Sequence, residues 1–196
     1  MKKTIISIFA AVIALSSCQS LDLVSTYQVA SSNVWGKATL ARQAVNGIYN
    51  EFYTRSSTTV NEDNWNVMYE AYSSVMDTDK NWYENQKVCY GNGTPSSGTF
   101  SEMYKYYYTF VFRANDAITH IDQVPDMDAS EKAKLKAEAK FLRAYGYMNL
   151  NVLYRGVPLY LEYIEDASKA NRPRSAEKEV WEAIIKDLTD CVEEEA

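Results

Sequence analysis

A chain of 196 residues with 26 acidic against 20 basic side chains carries a formal charge of −6 and a globular composition, 46% hydrophobic. No basic stripe is present, so phosphate-backbone recognition, and with it nucleic acid, is excluded as a partner. One histidine and three cysteines exclude multi-histidine metal centres and zinc sites of paired thiolates, and leave His120 as the only base for a histidine-dependent nucleophile.

The first residues divide into a cationic pair (Lys2, Lys3), an apolar run from Ile5 to Leu15 and small residues leading to Cys18. This is the pattern of a signal peptide over residues 1–17. Its apolar run is roughly half of what a bilayer-spanning helix requires. Leu15-Ser16-Ser17-Cys18 resembles the lipobox of bacterial lipoproteins, which predicts cleavage before Cys18 and lipidation of that residue. Several acyl chains on one residue give stable anchoring where one chain is marginal. Residues 18–36 are polar with no helical period and read as a tether; residues 37–196 form the folded domain.

From Lys37, the residues Leu40, Ala44, Val45, Ile48, Tyr49 and Phe52 recur at three- and four-residue steps and predict one apolar helix face, ended by the Ser/Thr-rich run Thr54–Thr59. Trp65, Met68, Tyr69, Tyr72, Val75 and Met76 predict a second, short helix. Between Asp77 and Thr99 the period disappears, and Gly91, Gly93, Pro95 and Gly98 mark a long loop, a kind of segment that is often functional. A third helix starts near Phe100, with Met103, Tyr104, Tyr107, Tyr108, Val111, Phe112, Ile118 and Ile121 on its inner side. Asp128 and Glu131 have capping-box spacing and open a fourth helix to about Tyr154, apolar nearly all round in its second half and therefore central. Gly156 stops it. Val157-Pro158-Leu159-Tyr160-Leu161 reads as extended. Ser175 can cap a last helix whose stripe is Val180, Trp181, Ile184, Ile185, Leu188, Cys191 and Val192. That stripe, with no partner following it, predicts an N-terminal part of a longer protein.

Five helices and almost no alternating segments predict an all-α fold of antiparallel pairs, similar to tetratricopeptide-type solenoids. Cys89 and Cys191 can pair as a disulfide in an oxidising compartment or be buried separately. Asp77-Thr78-Asp79-Lys80-Asn81 begins like a calcium loop, but Trp82 stands where the glycine belongs and Val88 where the bidentate glutamate belongs, so no metal is expected there. Neither a Gly-rich phosphate loop nor a Gly-x-Ser-x-Gly elbow is present, and nothing sets two carboxylates across a cleft, so neither a cofactor nor catalysis is expected.

Successive blocks in order after the lipobox resemble the SusD/RagB family of Bacteroidetes surface lipoproteins. Leu21-Asp22-Leu23 is similar to the family's mature start; Trp35 and Ala44-Val45-Asn46-Gly47-Ile48-Tyr49 to its first helix; Tyr108 and Arg113-Ala114-Asn115 to its next signature, with Tyr104 in place of a tryptophan. The most specific block is Glu138-Ala139-Lys140-Phe141-Leu142-Arg143-Ala144-Tyr145, continuing through Tyr147, Leu150, Tyr154, Gly156, Val157, Pro158 and Leu159; Arg174-Ser175, Val180, Trp181, Ile184, Asp187 and Leu188 follow. The resemblance implies a SusD-like fold, an outer-membrane, surface-exposed location through the lipid on Cys18, and capture of an oligosaccharide or polysaccharide for a SusC-like TonB-dependent transporter. The alternative is a helical-repeat scaffold for other proteins.

Sugars present flat C–H faces rimmed by hydroxyls, so the implied glycan site wants exposed rings beside polar side chains. Trp82 and Tyr83, with Asp79 and Asn81 nearby, meet that description in the region to which the resemblance assigns part of the site; the same rings could instead pin their loop to the body. Among the matched residues, Asn115, Arg143, Tyr145, Gly156 and Pro158 are read as structural. A guanidinium inside an apolar helix requires carboxylate or carbonyl partners.

Overall fold

The computed structural model describes residues 33–57, 94 and 98–195. The second helix expected around Trp65–Met76, the loop with Asp79, Asn81, Trp82 and Tyr83, and the segment containing Cys18 all lie outside the described residues. Four α-helices and no strand are present among them: α1 (Ala38–Ser57), α2 (Gly98–His120), α3 (Ala129–Tyr154) and α4 (Glu177–Glu195). From Val34 onward they belong to one compact unit.

Three of the four helix starts are tied down by a particular group. The first amide of α1, at Ala38, donates to Asp126 Oδ1 at 2.6 Å, a partner 88 positions away that satisfies one of the orphan N–H groups of a helix start. At α3 the Asp128 carboxylate accepts from the Glu131 amide at 2.8 Å. Glu131 does not return its side chain to the cap; it pairs with Arg42 of α1. Helix α4 begins at Glu177, so Ala176 stands where Ser175 was expected, and Glu179 accepts from the Ala176 amide at 2.9 Å. The capping function has passed from a hydroxyl before the helix to a carboxylate within its first turn.

Hydrogen bonds fix the direction of the helices. Between α2 and α3, Phe100 meets Tyr154, Asn115 meets Arg143 and, just past the end of α2, Asp122 meets Lys136. Between α3 and α4, Ala137 meets Cys191, Arg143 meets Asp187 and Asn151 meets Glu177. Rising numbers on one helix meet falling numbers on the next, so both pairs are antiparallel. Gly146 sets the closeness of the α2–α3 crossing: a Cβ there would lie 2.9 Å from the Tyr107 carbonyl oxygen and 3.2 Å from Phe110 Cβ.

Val45 and Ile48 of α1, Met103, Tyr107, Phe110 and Val111 of α2, Leu142, Tyr147 and Leu150 of α3, and Val180 and Ile184 of α4 form the core. Burial of such side chains is the main stabilising term. Several residues read as inner are outer. The buried row of α1 runs Ala38, Ala41, Val45, Ile48, which leaves Tyr49 and Phe52 on its flank, and Phe112 lies on the outer face of α2. Helix α3 packs on α2 along one side and α4 along another, so Phe141, Met148 and Val152, at seven- and four-residue steps, remain exposed. Helix α4 rests chiefly on α3, which covers only part of its apolar stripe: Val180 and Ile184 are buried, whereas Ile185 and Val192 are 61% and 72% exposed.

Candidate functional site

The chain from Val157 to Leu161 is the feature around which the matched residues gather. Among the described residues no strand lies beside it, yet Val157 and Tyr160 are buried, so its carbonyl groups need other partners. The Ser175 amide donates to the Val157 oxygen at 3.2 Å, and side chains serve the rest. Tyr108 donates to the Pro158 oxygen at 2.7 Å, Arg172 to the Leu159 oxygen at 3.1 Å, Asn115 to the Tyr160 oxygen at 2.7 Å and Arg143 to the Leu161 oxygen at 3.0 Å. Tyr147 uses one hydroxyl twice, accepting from the Tyr160 amide at 2.5 Å and donating to the Tyr160 oxygen at 3.0 Å. Burial pushes the Tyr147 phenol up from its ordinary value, so it stays neutral and able to do both.

Entry into this strap requires a left-handed reversal. Arg155 and Gly156 take φ of 53° and 82°, the Asn151 carboxamide oxygen accepts from the Gly156 amide at 2.8 Å, and a Cβ on Gly156 would stand 2.5 Å from the Ser175 oxygen. Only glycine fits that close approach with that backbone.

Arg143 anchors the strap to both neighbouring helices. Its guanidinium forks onto Asp187 of α4, with Nε to Oδ2 at 2.8 Å and an η nitrogen to Oδ1 at 2.6 Å, while the other η nitrogen donates to Asn115 Oδ1 at 2.7 Å. The pair is 7% and 5% exposed at its side chains, so each charge is compensated inside the fold rather than offered to a ligand. Tyr145 packs with its ring 4.9 Å from Phe52 and 5.3 Å from Phe110.

Outside this knot lies an open cleft of about 280 Å³ lined by Tyr104, Lys105, Tyr108, Phe112 and Tyr160. Tyr104, Tyr108 and Phe112 follow one another at four-residue steps on α2, and their ring centroids are 4.7 Å and 5.6 Å apart, the second pair nearly parallel at 28°. Tyr160 closes the floor, 5.7 Å from Tyr108 and 5.4 Å from Phe112, with the Arg172 guanidinium 5.2 Å from its ring centroid. Burial, and then the Tyr104 hydroxyl, push the Tyr108 phenol upward. Tyr160 directs its hydroxyl to the Ala170 oxygen at 2.6 Å and, like Tyr108, is buried, so the side chain that the cleft exposes most among its rings is Phe112, with Lys105 at the rim bonded to Glu102 at 2.7 Å.

Of the rings expected on the inner side of this helix, Tyr107 and Tyr108 are buried and Tyr104 packs against the core, whereas Phe112 is exposed and borders the cleft. The signal was available: Tyr104, Tyr106, Tyr107, Tyr108, Phe110 and Phe112 place six rings in nine positions, more than one helix face can bury at 3.6 residues per turn. Among the described residues no group of three His, Cys, Asp or Glu is set to hold a metal ion, and none of their helices is long and apolar enough to cross a membrane.

A family model described as starch-binding and associating with the outer membrane matches residues 21–193. SusD-like protein P38 of Formosa agariphila is 30% identical over 122 residues, which is 60% of this chain and 23% of that protein. A laminarin-binding SusD-like protein of known structure superposes with a TM-score of 0.72 at 26% identity, over 81% of this chain and 34% of its own. A SusD-like protein from Bacteroides fragilis gives 0.68 at 26% identity, over 84% and 30%. The chain therefore spans less than a quarter of the curated relative and about a third of the solved ones.

Proposed function

We propose, because the chain belongs to the SusD-like family described as starch-binding and associating with the outer membrane, that it is a lipid-anchored receptor that captures a neutral oligosaccharide at the cell surface and passes it unaltered to a TonB-dependent transporter. The family match over residues 21–193 is the observation that carries this reading. The laminarin-binding relative, with its TM-score of 0.72, supports a glycan as the ligand class. In this reading Cys18 bears the lipid, residues 18–36 are the tether, and residues 37–196 belong to the ligand-presenting helical domain. Trp82 and Tyr83, with Asp79 and Asn81, supply one stacking platform. Capture raises the local concentration of glycan above the barrel, and the protein performs no bond cleavage.

Affinity electrophoresis in gels containing starch or laminarin tests the reading. Retardation of the full chain by either polysaccharide, reduced by Trp82→Ala, is the expected result; free migration in both gels, or release of shortened sugars, would overturn it. One observation favours a second reading, a helical-repeat scaffold: the exposed apolar side chains of Ile185, Leu188 and Val192 form a surface suited to another protein.

A further inference from the structure

We infer that Trp35 is a latch: stacked on His120 at the end of α2, it docks the root of the N-terminal tether on the folded domain, and its release lengthens that tether while α1 stays in place. The inference rests on the reading of residues 18–36 as a membrane tether and adds a moving part to it.

Three segments meet at His120. Trp35, in the 3-10 turn Val34–Gly36 that precedes α1, lies nearly parallel to the imidazole, with ring centroids 5.7 Å apart at 14°. Tyr163, beyond the strap, meets the imidazole edge-on at 5.2 Å and 76°. Asp116, one turn earlier on α2, fixes the orientation of that ring: His120 Nδ1 lies 2.9 Å from both its backbone oxygen and its carboxylate. The His120 side chain is 21% exposed and Trp35 is partly buried against the core, so the stack sits at the margin of the fold, where a contact can open without disturbing the interior.

The fastenings on the two sides of Lys37 differ in kind. After it, the Ala38 amide is bonded to Asp126 at 2.6 Å, Arg42 pairs with Glu131, and the Lys37 oxygen accepts from the Leu40 and Ala41 amides at 3.1 and 3.0 Å. Helix α1 is thus held by polar bonds of its own, to partners on the loop before α3 and on α3 itself. Before it, Val34–Gly36 has no fully buried residue, and its large anchoring side chain is Trp35, held by ring contact. Undocking Trp35 therefore frees residues 34–36 without opening α1, and these three residues add at most about 10 Å of chain at full extension. On a lipid-anchored receptor that length lets the domain swing about its anchor.

Native-state digestion of the full chain with chymotrypsin reads the latch directly. The protease cleaves after Trp35 when that ring leaves the stack for its own pocket, and such cleavage follows the population of the open form. His120→Ala should speed cleavage after Trp35 by about ten-fold, the scale of one aromatic contact; His120→Phe, which restores a stacking ring, should return it to the wild-type rate, with cleavage inside α2–α4 unchanged in both. Equal rates after Trp35 in wild type and His120→Ala would overturn the latch. So would a parallel rise inside α2–α4, which would make His120 a support of the whole fold. Cys18→Ala separates this inference from the tether reading: it should leave cleavage after Trp35 unchanged, and if it also leaves membrane retention unchanged, the tether and its lengthening fall while the stack stands.

Discussion

Replacing Arg143 by methionine removes a guanidinium that makes two bonds to Asp187, one to Asn115 and one to the Leu161 oxygen. Methionine keeps most of the stem and so leaves little cavity. The dominant cost is the Asp187 carboxylate, 4% exposed, left without its counter-charge; breaking one side of such a pair costs about 3–5 kcal/mol. The Leu161 oxygen and the Asn115 carboxamide lose a donor as well, about 1 kcal/mol or more each where water does not replace it. Arg143→Met should therefore lower unfolding free energy by about 5–7 kcal/mol, a large share of the roughly 5–15 kcal/mol typical of a domain. Urea unfolding followed by far-ultraviolet circular dichroism measures it. The paired change Arg143→Met with Asp187→Leu removes both charges together and should recover most of the loss, since an apolar replacement of a buried ion pair is often neutral or better. A loss below about 1 kcal/mol for the single variant, within the range of an exposed pair, or a double variant less stable than the single, would refute the reasoning.

Gly146→Ala and Gly47→Ala should shift stability in opposite directions: the first places a Cβ 2.9 Å from the Tyr107 oxygen, the second meets nothing within 4 Å. Thermal unfolding should show a loss of about 1–3 kcal/mol for the first and a gain of about 0.5–1 kcal/mol for the second. Asp190 is held below the usual carboxylate value by its bond to Lys186, with Lys140 adding to it, so its contribution is present above the unfolded value of about 3.9 and disappears as pH falls through the lower folded value. Asp190→Asn should accordingly lower the unfolding free energy slightly at neutral pH, by about 1 kcal/mol or less, and not at all in strong acid. Ile185→Lys combined with Val192→Lys, at positions 61% and 72% exposed, should leave stability nearly unchanged and reduce self-association in sedimentation velocity.

The helical class, and the order of the elements now described, were legible because apolar side chains recur with the helical period over long stretches. The start of α3 was legible too, since Asp128 is a short acceptor placed just before the run. The strap was read as extended from Pro158, but its partners were not legible: Tyr108, Asn115, Arg143 and Tyr147 come from two helices, and only the antiparallel register brings them to one carbonyl row. Side-chain orientation at the edge of a stripe was misread at Tyr49, Phe52, Phe112 and Ile185 for a common reason. Periodicity tells which residues share a face, while the width of the neighbouring helix decides how much of that face is covered. The cleft escaped for the same reason, since Phe112 falls at the edge of the inner face that Tyr107 and Tyr108 occupy.

Retention of a fluorescent polysaccharide by whole cells tests the central claim most directly. Cells producing the protein should hold labelled starch or laminarin at their surface, and Cys18→Ala, which removes the lipidated residue, should release both the protein and the label. Equal labelling of cells with and without the protein, or labelling unchanged by Cys18→Ala, would contradict a lipid-anchored glycan receptor.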